Sequence, residues 1–116
     1  MQPVNVLVID GQGGGLGKQL VAGISTRCPE ARLTAVGNCR SADIIVGPIG
    51  IVIADALLGE ITPAMATAVC QSRATRVLIP VNHCENYIVG VPEQPIGDLV
   101  AAAVQKVKAL CAGEGC

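Results

Sequence analysis

Aromatic residues are almost absent from this sequence: Tyr87 stands alone, with neither Phe nor Trp. A core without large rings must be built from Val, Ile, Leu and Ala, the residues of parallel strands buried beneath helices. The lack of rings also removes the stacking platform on which single-stranded nucleic acids are held. Charge is sparse as well, at 15% of residues, with a net value of −1 and no two adjacent Lys or Arg. Without a basic patch the electrostatic footprint of a nucleic-acid binder is lacking, and no nucleic acid is expected as a partner. Long apolar runs are also missing. The stretch Ile44–Ala54 has eleven residues and is interrupted by Gly47, Pro48 and Gly50. That is too short to span a bilayer, so no membrane partner is expected. Met1-Gln2-Pro3-Val4-Asn5 carries no basic segment and runs straight into an apolar strand, which argues against a secretory signal.

What is present is enough for one core. The chain has 116 residues, 51% of them hydrophobic, which excludes disorder and fits a single domain. A single Rossmann-like unit is expected over residues 1–112, with a frayed tail at 113–116. The mean hydropathy of +0.56 leaves apolar surface for a partner, and a homo-oligomer is one reading of it. Six cysteines stand at 28, 39, 70, 84, 111 and 116. With no secretory signal and a full hydrophobic core, they read as thiols of a cytoplasmic protein and not as a disulfide scaffold.

Periodicity places the elements. Val4–Ile9 is a β-branched apolar run closed by Asp10-Gly11, and it predicts a buried first strand. Leu16, Leu20 and Ile24 recur every four residues, predicting a helix from Leu16 to Arg27 that Pro29 ends. Strands are expected at 31–36 and 42–46, followed by a buried helix over 51–58 capped by Gly59. Thr62-Pro63 is a helix start, with Thr as N-cap and Pro in the first turn, and that helix runs to Arg73. A fourth strand is expected at 76–81 and a short fifth at 87–91. An amphipathic helix over 95–110 closes the chain, with Leu99, Ala103, Val107 and Leu110 facing inward. Alternating strands and helices predict an α/β three-layer sandwich with a mainly parallel sheet, in the order 2-1-3-4 plus the fifth strand.

One join strains chain reach. A strand ending at Val36 and a parallel one starting at Ala42 require a return of about 17–20 Å along the sheet. Five intervening residues reach about 20 Å with nothing left for the sideways step, and a parallel crossover normally takes about a dozen residues. Either the two strands form a hairpin or residues are missing between Val36 and Ala42; the latter is the expectation.

The strongest chemical signal is Asp10-Gly11-Gln12-Gly13-Gly14-Gly15-Leu16-Gly17-Lys18. A strand that feeds a glycine-rich turn and then a helix lets backbone N–H groups approach an anion, with the helix N-terminus adding positive partial charge. Glycine serves there because a Cβ would block the approach, or because the turn requires φ > 0. The strict G-x-G-x-x-G spacing fails, since it would put Leu16 at the third glycine. The G-x-x-x-x-G-K-[ST] pattern fails at Gln12 and Gln19. Gly11-x-x-x-Gly15-x-Gly17 does resemble the G-x-x-x-G-x-G loop of short-chain dehydrogenases, and Asp43–Ile51 loosely resembles that family's fourth strand and turn. The family's Tyr-x-x-x-Lys pair is absent, because Val91 stands four places after Tyr87. No acidic residue ends the second strand to hold a ribose, so the resemblance carries a loop and no catalytic mechanism. The plain alternative is a turn that only lets strand and helix pack tightly. Five glycines in seven positions cost backbone entropy at each one, which favours a phosphate-binding role.

Longer blocks resemble a bacterial family of unknown function. They are Ile9–Lys18, Ile45–Ile51 (Ile-Val-Gly-Pro-Ile-Gly-Ile), Leu58–Ala66 (Leu-Gly-Glu-Ile-Thr-Pro-Ala-Met-Ala), and Ile79-Pro80-Val81-Asn82 with Cys84. The resemblance implies a Rossmann-like fold and supplies no activity. It also implies an extra helix and strand before Ala42-Asp43-Ile44-Ile45, which this sequence lacks.

In an open α/β sheet ligands bind at the carboxyl ends of the strands. Here those ends carry Asp10-Gly11, Gly37-Asn38, Gly47-Pro48-Ile49-Gly50 and Asn82-His83-Cys84. The expected ligand is small and phosphate-bearing, NAD(P) or another nucleotide. It is held by residues 10–18, including Gly13, Gly14 and Lys18, with Gly47, Pro48, Gly50 and Asn82 lining the same cleft. His83 and Cys84 form no compact ligand set, and neighbours in an extended chain point apart, so no metal is expected. Asp55, within an apolar segment, faces the cleft, caps a turn or meets a Lys at an interface. Two other classes stay open: an oligomeric or regulatory module without nucleotide, and a thiol or metal protein using Cys39, His83 and Cys84.

Overall fold

The computed structural model describes residues 3–10, 15–35, 39–54, 61–81 and 86–113. In chain order these form β1 (Asn5–Val8), α1 (Leu16–Arg27), β2 (Arg32–Thr34), β3 (Ile44–Pro48), α2 (Pro63–Gln71), β4 (Thr75–Ile79) and α3 (Ile96–Cys111). Single 3₁₀ turns cover Cys39–Ser41 and Ile49–Val52. The four strands make one all-parallel sheet in the order β2-β1-β3-β4. This is the expected α/β, Rossmann-like sandwich.

Strand alternation sorts the core into two layers. Val6, Val8, Ile44 and Val46 face one side, against Leu16, Leu20 and Ile24 of α1 and Val100, Ala103, Val104 and Val107 of α3. Leu7 and Ile45 point to the other side, against Ile51, Ile61, and Ala66 and Val69 of α2. Every second residue is thus apolar on both faces, and the strands read as unbroken apolar runs. Arg27 Nη2 donates to Gln105 Oε1 at 2.7 Å, tying α1 to α3. On α2, Thr62 accepts from the Met65 amide at 3.2 Å with Pro63 behind it, the cap that the sequence specifies. At the other end Arg76 Nη1 donates to the Ser72 carbonyl at 3.0 Å, a cation where the helix carbonyls end.

Register explains how the chain passes from β2 to β3. Thr34 lies level with Leu7, and Ile44 lies level with Val6. The return along the sheet is therefore about one residue, roughly 3.3 Å, and residues 35–43 are available to make it. The premise of a full strand-length return falls, because β2 is three residues long and β3 starts two residues later than expected. The hairpin alternative falls as well, since both strands run parallel to β1. Of the stretch where residues were expected to be missing, 36–38 lie outside the described residues. Asp43 fixes where β3 begins. Its carboxylate accepts from the Asn5 amide at 2.8 Å, its own N–H donates to the Asn5 carbonyl, and its carbonyl accepts from Thr75.

Three further expectations are corrected. Gly47-Pro48 ends β3 and is not a turn after it. Pro48 is tolerated in this central strand because β1 pairs only as far as Val46, so no ladder partner needs its missing N–H. The helix foreseen from Ile51 begins as a 3₁₀ turn, and residues 55–60, Asp55 among them, lie outside the described residues. Residues 87–91 form no strand. Gly90 takes φ +86° in a turn closed by Val91 N–H to Ile88 O at 3.2 Å, while Tyr87 and Val89 are 91% and 97% exposed. No helix among the described residues is long and apolar enough to cross a membrane.

Candidate functional site

The parallel register puts the carboxyl ends of β1, β3 and β4 on one edge, with Val8 beside Val46 and Pro48 beside Ile79. From that edge the chain leaves β1 through Ile9 and Asp10 and enters α1 at Gly15 and Leu16. Residues 11–14, and with them Gly11, Gln12, Gly13 and Gly14, lie outside the described residues. Asn82, His83, Cys84 and Gly37-Asn38 lie outside them too.

Gly15 is the N-cap of α1 and sits in the left-handed region at φ +82°. A side chain there would be strained, although no atom of the described residues lies within 4 Å of its place. Glycine brings no side-chain oxygen, so Gly15 itself makes no side-chain cap bond to the first turn, and that turn contains no acidic residue. Most helix starts satisfy these amides with Ser, Thr, Asp or Asn, as Thr62 does for α2. The Leu16 side chain is buried in the core and anchors the helix. Lys18 is exposed on the first turn.

Gly17 and Asp10 belong together. A Cβ built on Gly17 would lie 2.7 Å from Asp10 Cβ, 2.9 Å from Cγ and 2.8 Å from Oδ2. The exposed carboxylate of Asp10 therefore rests against the first turn of α1, where the helix dipole favours negative charge. Gly17→Ala should lower stability by about 1–2 kcal/mol by displacing Asp10. In an Asp10→Gly background the same change should be neutral or favourable, because Ala is the better helix former by about 1 kcal/mol. Urea unfolding of the four proteins checks this; an equal cost in both backgrounds would refute the contact.

Gly47 has a different reason for being glycine. Its Cβ would meet the Ile9 carbonyl oxygen at 2.3 Å, while Ile9 N–H donates to the Val46 carbonyl at 2.9 Å. It lets the end of β1 close onto β3. Gly47, Pro48 and Gly50 are all buried. No group of three or more His, Cys, Asp or Glu side chains able to hold a metal occurs among the described residues.

Two thiols escaped the sequence reading as a pair. Cys28 is the C-cap of α1 and Cys111 the last residue of α3; both pack into the same core cluster, close enough to influence each other's ionisation. Burial pushes both thiols up, with Glu30 adding to each and, for Cys111, Cys28 and Asp43 as well; Lys108 and Arg27 act the other way on Cys28. Thiolate is thus disfavoured in the fold, and the unfolded chain loses these protons first. Their contribution to stability is complete below about pH 8.5 and is lost as pH rises through the raised values. Urea melts between pH 7 and 10 should show that loss in the wild type and a shallower one in Cys28→Ala/Cys111→Ala.

A family model described as a domain of unknown function (DUF3842) matches residues 34–112, and the chain belongs to that family. The match starts at the last residue of β2, so residues 10–18 lie outside it. No curated protein and no solved structure matches the chain.

Proposed function

We propose that this family member binds a nucleotide or dinucleotide, seating its phosphate on the amides at the head of α1. The observation that carries the reading is the left-handed, side-chain-free N-cap at Gly15, directly after β1 on the carboxyl edge of a parallel sheet. Uncapped first-turn amides and the helix dipole together attract an anion. Ligands of open α/β sheets gather on that same edge.

Asp10 refines the ligand class. Its carboxylate lies beside Gly17, so a bare phosphate on the first turn would meet a like charge. A nucleotide relieves this, either by offering a ribose hydroxyl to Asp10 or by bringing a divalent cation. Lys18 adds a point charge of the right sign. NAD(P) and the nucleoside di- and triphosphates fit these demands better than inorganic phosphate does.

Thermal melts with NAD(H), NADP(H), ATP, GTP and flavins, each with and without Mg²⁺, test the proposal. A true ligand at about 100 times its Kd adds about 2.7 kcal/mol, a rise in Tm of about 10 °C. Inorganic phosphate should give a smaller rise, and Gly15→Val should abolish the ligand-induced part while lowering the starting Tm. No rise with any nucleotide would overturn the reading.

A second reading has an observation of its own. Tyr87, Val89, Val91 and Ile96 are large hydrophobic side chains left exposed in the segment leading into α3, apolar surface that a partner would cover. An oligomeric module without nucleotide would show self-association by light scattering and a flat thermal response to every ligand.

A further inference from the structure

Cys28 and Cys111 are distant in sequence and meet at the rim of one core. Cys28 continues the row Leu16, Leu20, Ile24 along the buried face of α1 and is itself 1% exposed. Cys111 is partly buried and packs against the same cluster from the end of α3. Both are free thiols. The site lies on the amino edge of the sheet: β2 begins four residues after Cys28, with Arg32 level with Asn5 at the start of β1. It is thus at the opposite end of the molecule from Gly15, and independent of the nucleotide reading.

We propose that Cys28 and Cys111 are a reversible redox pair, closed into an intramolecular disulfide by a low-molecular-weight disulfide oxidant such as oxidised glutathione. Two thiols from helices already packed together need side-chain rotation and little backbone movement to bond. Cys111 is the one the oxidant can reach. Its thiol gives up a proton to water, and the thiolate sulfur attacks one sulfur of the small disulfide. That S–S bond breaks and one small thiol leaves. Cys28, losing its own proton, then attacks Sγ of Cys111 and expels the second small thiol. The protein gives up two electrons and two protons, and the small disulfide becomes two thiols. Burial keeps thiolate scarce, so closure is slow near neutral pH and faster in mild alkali.

The bond would join α1 to α3 across a sequence separation of 83 residues. A loop of that length restricts the unfolded chain strongly, so Tm should rise by about 10 °C or more. The remaining cysteines serve as internal controls, Cys70 among them as an exposed free thiol.

The test uses the wild-type protein, incubated folded with oxidised glutathione at pH 8, then unfolded, alkylated and mapped by mass spectrometry without reduction. A linked peptide pair containing Cys28 and Cys111, 2 Da lighter than the two thiols, is expected together with the rise in Tm. Dithiothreitol should reverse both. Cys111→Ser should leave Cys28 alkylatable and the Tm unmoved by oxidant. Three results would overturn the proposal: both cysteines fully alkylated after oxidation, Cys111 stopped as a glutathione adduct beside a free Cys28, or either one bridged to another cysteine.

Discussion

Gly47→Ala is expected to cost about 3 kcal/mol or more, lowering Tm by about 12 °C or more. The added methyl would stand 2.3 Å from the Ile9 carbonyl oxygen, and neither atom lies on a side chain that can rotate away. Relief requires β1 to part from β3, which would strain the Ile9–Val46 hydrogen bond. Ala also loses less chain entropy than Gly on folding, a gain of about 0.4–1 kcal/mol that does not offset the clash. Differential scanning calorimetry measures the sum. A drop of less than about 4 °C would mean the two strands are not closed at this level.

Ile45→Ala should cost about 4 kcal/mol, within the 2–5 kcal/mol usual for such deletions. Ile45 is 0% exposed as the second residue of β3, beside Leu7, and belongs to the smaller of the two core layers. That layer is Leu7, Ile45, Ile51, Ile61, Ala66, Val69 and Ala74, with no aromatic ring able to shift into the vacancy. Ile96→Ala is the control, since Ile96 is 42% exposed before the inward face of α3 begins. It should cost under about 0.5 kcal/mol. Similar losses at both positions in chemical denaturation would contradict the two-layer core.

Much of this fold is written locally in the sequence. Leu16, Leu20 and Ile24 mark α1, and Thr62-Pro63 marks the start of α2, because a four-residue row and a cap are short-range features. The order β2-β1-β3-β4 followed from alternating elements and the rule that successive parallel strands need crossovers. Misplaced boundaries had tertiary causes. β2 stops at Thr34 and β3 starts at Ile44, where Asp43 binds Asn5 and Thr75, bonds that no local pattern announces. Residues 87–91 look like a strand by composition, yet the positive φ at Gly90 turns them outward.

The candidate site was legible in part. The glycine spacing pointed to Gly15, Gly17 and Lys18, and the αL cap at Gly15 is the conformation such a residue is suited to. Gly47 is expected to line a cleft, and its contact with Ile9 gives it in addition a packing role visible only once two strands are side by side. The pairing of Asp10 with Gly17 was hidden for the same reason. So was the meeting of Cys28 with Cys111, since sequence alone gives no distance between residues so far apart.

The most direct measurement is a ¹H–¹⁵N titration of the assigned protein with Mg·ATP and with NAD⁺. Phosphate seated at the head of α1 should move the amide signals of Leu16, Gly17 and Lys18 strongly and saturably, while those of α2 stay in place. Saturable shifts confined to some other surface, or first-turn amides unmoved at millimolar concentrations of both nucleotides, would contradict the account.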